Sequence, residues 1–99
     1  MGTTSIEKYL AILSPLKPEM AARYMVKEIG IFGSVVRGEE SQTSDVDVLV
    51  EFEEGADLFH LIGLALFLEE ALQRKVDVVS RRALRAELRS SVLQEVVPV

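Results

Sequence analysis

The sequence predicts a small α/β (α+β) fold: a mixed three-stranded sheet with helices packed on it, spanning residues 1–99 as a single domain. Three observations carry that expectation. Val26–Phe32, Val46–Phe52 and Lys75–Val79 are rich in β-formers and alternate with segments of helical period. The short polar loop between the first two strands, residues 38–44, makes the sheet mixed rather than all-parallel. Ninety-nine residues, 48% of them hydrophobic, suffice for one core and exclude a second domain.

From the N-terminus, Thr4-Ser5-Ile6-Glu7 reads as a capping box, followed by Ile6, Leu10 and Leu13 at helical spacing. Pro15 ends that helix, and Pro18 suits the first turn of a second over about Glu19–Tyr24. The strand Val26–Phe32 stops at Gly33. Val46–Phe52 then alternates, with Val46, Val48, Val50 and Phe52 on one face and Asp45, Asp47, Leu49 and Glu51 on the other. Asp57 is placed to cap a helix over Leu58–Leu72 that is apolar nearly all round. Lys75–Val79 is the third strand, and Ser80 is expected to cap a last helix over Arg81–Glu95, with Leu84, Leu88 and Val92 in one stripe.

Charge narrows the function. Ten acids and no base fall within residues 38–73, so the whole excess behind the net charge of −5 lies in the middle third. Such a block needs solvent, a basic surface from elsewhere in the fold, or a bound cation. The absence of cysteine excludes disulfides, thiolate zinc sites and cysteine nucleophiles. There is no basic-then-apolar leader, and no apolar run reaches the roughly 18 residues of a membrane span. The expectation is a cytoplasmic protein without membrane contact.

The chemistry concentrates in Ile31-Phe32-Gly33-Ser34-Val35-Val36-Arg37-Gly38 and in Ser44-Asp45-Val46-Asp47. A glycine at a strand end lets the chain turn sharply, and a serine with free N–H groups after it suits an anion such as phosphate. Neither the Walker pattern nor the three-glycine dinucleotide fingerprint is present. Taken alone, Gly33-Ser34 is also an ordinary strand-ending turn. Asp45 and Asp47 share one strand face, their Cα atoms roughly 6.5 Å apart. Mg²⁺ binds through one or two carboxylates plus substrate phosphates. Asp77 repeats the pattern on the third strand. If that strand pairs beside the second, three carboxylates meet, and three acids on adjacent strands beside an anion-binding turn are what two-metal phosphoryl transfer needs.

Gly33-Ser34, ten intervening residues, then Asp45-Val46-Asp47 resembles the signature of the minimal nucleotidyltransferases, the smallest members of the DNA polymerase β-like superfamily. Arg37-Gly38, Ser44 and the strand bearing Asp77 fit as well. Gln73 departs from the pattern, since relatives often end that helix with glycine. The resemblance implies the nucleotidyltransferase fold and transfer of AMP from ATP to an acceptor hydroxyl. It implies Asp45, Asp47 and Asp77 as catalytic residues and ligands of two Mg²⁺ ions, with Gly33, Ser34 and Arg37 on the terminal phosphates. It further implies an antitoxin whose partner and acceptor is a HEPN-type toxin, modified on a tyrosine. The rivals are a non-catalytic antitoxin acting by complex formation, and transfer to RNA or a small molecule held by a second subunit.

The remaining features carry less. His60 and the two tyrosines read as helix-surface or packing residues. Arg81, Arg85 and Arg89 form a basic stripe without interleaved aromatics, and direct nucleic-acid binding is disfavoured in so acidic a chain. One sheet cannot cover all faces of the 58–72 helix. Part of it, Leu66 and Phe67 foremost, is expected to meet another chain, either a second copy in a homodimer or the toxin.

Overall fold

A computed structural model of the chain describes residues 5–41 and 43–99. Thr4, the expected N-cap residue, lies outside them. The helices are α1 (Ser5–Leu13), α2 (Lys17–Tyr24), α3 (Ser34–Arg37), α4 (Leu58–Leu72) and α5 (Ala86–Glu95), and the strands are β1 (Val26–Phe32), β2 (Val46–Phe52), β3 (Val76–Ser80) and β4 (Val97–Pro98). The sheet runs β3-β2-β1-β4. β1 is antiparallel to both β2 and β4, and β2 is parallel to β3.

The core follows from the alternation. Val46, Val48 and Val50 of β2 are fully buried, and Leu64, Leu68 and Leu72 of α4, four residues apart, cover them together with Leu13, Met20 and Ile31. Asp57 caps α4 as expected. Its carboxylate accepts from the N–H groups of Phe59 and His60, while His60 Nδ1 accepts from the Asp57 N–H at 3.0 Å, so His60 closes a capping box. α4 ends at Gln73, which is left-handed at φ 55°, the conformation that glycine would adopt without strain. The opposite side of α4 leaves Phe59, Ile62 and Leu66 open to solvent, Phe59 by 82%. Phe67, expected beside Leu66 at an interface, instead packs against the ring of Tyr24 at 5.4 Å.

The structure corrects the sequence reading in three further places. A fourth strand exists, because the last residues return to the free edge of β1 and pair with Gly30 and Ile31. A side chain at Gly30 would collide with Val96 and with the Val97 carbonyl, so the glycine permits that approach. β3 lies one residue later than expected, at Val76–Ser80. The last helix is not continuous: Arg81–Ala83 form a 3-10 turn, Leu84 and Arg85 are extended, and Ser80 makes no side-chain cap bond. The extended pair redirects the chain, and this sends the C-terminal end of α5 back toward β1. It also breaks the arginine stripe, and Arg81 pairs with Glu51 at 3.4 Å. Among the described residues no helix is long and apolar enough to cross a membrane.

Candidate active site

β2 builds the site. The alternation that buries Val46 and Val48 turns Asp45 and Asp47 to the other face. Asp47 stands opposite Asp77 of β3 on one side and Phe32 of β1 on the other. Gly33 follows Phe32, so the end of β1 delivers the Gly33-Ser34 turn beside the Asp47 carboxylate. Gly33 is held at φ 81° and ψ −150°, and a Cβ there would overlap Asp47 Oδ2 and come within 3.0 Å of its Cγ. Glycine is therefore required by a carboxylate of the chain itself. The short helix α3 follows, with the N–H groups of Val36 and Arg37 donating to the Gly33 carbonyl at 3.1 and 3.2 Å.

The electrostatics are dominated by acids. Burial raises the Asp47 carboxyl above the usual carboxylate range, and the charges of Asp77 and Asp45 push it the same way. Arg37 opposes this but is engaged elsewhere. Its Nε donates to Glu39 at 2.8 Å and its Nη1 to Glu95 Oε1 at 2.6 Å, which raises its already high pKa. The same Arg37 bond, aided by the Gly33 N–H, holds Glu95 below its ordinary value.

Asp77, Asp45 and Glu95 place carboxylate charge around Asp47, and burial and like charge penalise its ionised form. That set fits a hard divalent cation, which would relieve the excess charge. Asp45 and Asp77 are exposed, and among the described residues no three acidic or histidine groups converge into a complete ion cage.

Two residues at the site escaped the sequence reading. Glu95, 62 positions from Gly33, accepts its N–H at 2.9 Å. Arg74 ties down the loop that leads to Asp45: Nη1 donates to Tyr9 Oη at 3.0 Å and to Glu40 at 3.3 Å, and Nη2 to the carbonyls of Ser41 and Ser44 at 2.8 and 2.7 Å. The available signal was that Arg74 is the first base after the all-acidic stretch. Arg74→Met is expected to cost about 1.5–3 kcal/mol, the range for hydrogen bonds to a charged group, and to speed amide exchange in residues 39–41 and 43–46. Arg74→Lys should recover only part of this, because an ammonium cannot reproduce the planar fork. Thermal melts and hydrogen exchange test it, and a lysine variant matching wild type would remove the anchor role.

A nucleotidyltransferase domain family model matches residues 13–99. The chain is 43% identical over all 99 residues to the protein adenylyltransferase MntA of Thermococcus cleftensis, covering both chains completely. A solved structure provisionally described as a minimal nucleotidyltransferase superposes with a TM-score of 0.76 at 42% identity, covering 94% of this chain and 90% of that one. A chain from a toxin–antitoxin complex solved with AMP-PNP gives a TM-score of 0.67 at 26% identity, over 93% of this chain and 69% of the other. The mixed sheet with its packed helices is thus the minimal nucleotidyltransferase fold, with four strands where three were expected. The chain belongs to the nucleotidyltransferase domain family.

Proposed function

We propose that this protein is an antitoxin that transfers AMP from ATP to a tyrosine hydroxyl of a HEPN-type toxin in the cytoplasm. The observation that carries transfer is the Asp47–Asp77 pair, in register across β2 and β3, with the Gly33-Ser34 turn against Asp47. The full-length similarity to an MntA adenylyltransferase supports AMP as the group transferred, and the likeness to a toxin–antitoxin chain supports a protein partner. The tyrosine acceptor follows from the family resemblance.

In this reading Asp45, Asp47 and Asp77 would hold two Mg²⁺ ions, and Asp77 would also take part in deprotonating the acceptor. Bound Mg²⁺ would stabilise charge on the attacking and leaving oxygens. Gly33 and Ser34 hold the terminal phosphates through N–H and hydroxyl groups, and Arg37 neutralises part of their charge. The open ridge of Phe59, Ile62 and Leu66 offers the partner an apolar surface.

Incubation with α-labelled ATP, Mg²⁺ and a co-encoded HEPN-type protein should place label on that protein, and changing its acceptor tyrosine to phenylalanine should abolish it. Tight complex formation without label would establish the non-catalytic antitoxin instead. Label appearing only on RNA or a small molecule would replace the acceptor.

A further inference from the structure

Glu95, the last residue of α5, lies where the phosphate site should be free. One oxygen accepts from the Gly33 N–H at 2.9 Å and the other from Arg37 Nη1 at 2.6 Å. A carboxylate that bridges a turn N–H and a guanidinium makes the bonds that two phosphate oxygens would make. These are the same two groups assigned above to the nucleotide. One N–H cannot donate to two anions at full strength, and a fixed carboxylate would also repel the triphosphate.

We propose that Glu95 is an internal competitor of the nucleotide, its carboxylate standing in for phosphate on Gly33 and Arg37, so that a triphosphate binds by exchanging with it. The inference rests on the reading that this turn holds the terminal phosphates. Glu95 thereby sets affinity and charge selectivity: a polyanion displaces it, whereas adenosine has no group to do so.

Release requires little disruption. No residue of α5 is buried, and Leu88 is 50% exposed. Beyond α5, the chain is held by the two-residue pairing of β4, by the Val99 N–H on the Ile29 carbonyl at 3.0 Å and by Lys17 Nζ donating to a Val99 carbonyl oxygen at 3.0 Å, all of them past Glu95 itself. The Glu95 side chain is 22% exposed, so it can leave by its own rotation or with a small shift of the helix end. Arg37 keeps Glu39 as a partner when Glu95 leaves. Apparent affinity is reduced by the fraction of molecules in which the site is open, and an exposed ion pair shifts that fraction modestly.

The test is calorimetric titration of AMP-PNP with Mg²⁺, and separately of inorganic pyrophosphate, into wild type, Glu95→Gln and Glu95→Ala. Both variants are expected to bind each probe about three- to tenfold more tightly. Two residues should report the exchange in wild type: the Glu95 side-chain carboxyl ¹³C resonance should move toward that of a free glutamate, and the Gly33 amide should shift. Equal or weaker binding by both variants, or a Glu95 resonance unmoved by saturating pyrophosphate, would overturn the proposal and leave Glu95 as a fixed support of Arg37. Failure of all three proteins to bind either probe would overturn the phosphate-site reading itself, and this inference with it.

Discussion

Asp47→Asn is expected to reduce nucleotidyl transfer by roughly a thousandfold or more while leaving a folded and slightly more stable protein. The amide has the shape of the carboxylate, so it still fits over Gly33, where any added Cβ would meet it. It lacks the charge that a divalent cation needs. Stability should rise because the carboxylate is partly buried and faces Asp77 in register, with Asp45 beside it. Like charges across a strand pair cost up to about 1 kcal/mol, and a gain of about 0.5 kcal/mol is expected.

The pH dependence fixes the sign. Asp47 has its carboxyl raised in the folded protein, so the native state holds that proton more tightly than the unfolded chain. The stability gained from protonation is fully present below the unfolded value and is lost as pH rises through the folded one. Asparagine cannot ionise, so its advantage should be present at pH 7 and shrink toward zero in acid. Melting curves at neutral and acidic pH test this, and Mg²⁺ should raise the melting temperature of wild type more than of the variant. A variant that transfers label like wild type would remove Asp47 from the site.

The parts of this fold that were readable from sequence are those that local pattern dictates. Val46, Val48 and Val50 alternate strictly, so β2 and the side on which Asp45 and Asp47 lie follow from the period. Asp57 before an apolar run marks the start of α4. Two residues ending in proline give no strand signal, and β4 exists only because the edge of β1 is free. Leu84 and Arg85 contain no breaker, and the break before α5 reflects where the chain must go. Phe67 has the same composition-level signal as Leu66, yet it faces Tyr24, because which faces of an all-apolar helix are covered depends on α1 and α2. Arg74 and Glu95 act across long stretches of chain, and no spacing rule links them to the aspartates.

Gly33→Val is expected to be far more damaging than Ser34→Ala, for a reason that lies inside the protein as well as at the ligand. From sequence alone, glycine at this strand end meant a sharp turn next to residues suited to an anion. The structure adds two constraints that act before any nucleotide arrives. The pair φ 81°, ψ −150° belongs to a region that essentially only glycine adopts, at a cost of about 1–3 kcal/mol for other residues. The added Cβ would also press on Asp47 Oδ2, displacing the carboxylate that faces Asp77. A loss of about 2–3 kcal/mol corresponds to a fall of roughly 10–20 °C in melting temperature for a domain of this size. Nucleotide binding and transfer should vanish with it. Ser34→Ala removes a single hydrogen bond, worth about 0.5–1.5 kcal/mol, and should weaken nucleotide binding by roughly tenfold at most. A double-mutant cycle separates the causes. In an Asp47→Ala background the carboxylate is gone, so the penalty of Gly33→Ala should shrink to the backbone strain and a tight 3.2 Å contact with the Cβ that remains at position 47. If the effects of the two substitutions instead add in thermal melts, then the Gly33–Asp47 contact does not explain the glycine, and phosphate approach and backbone conformation are its only remaining reasons.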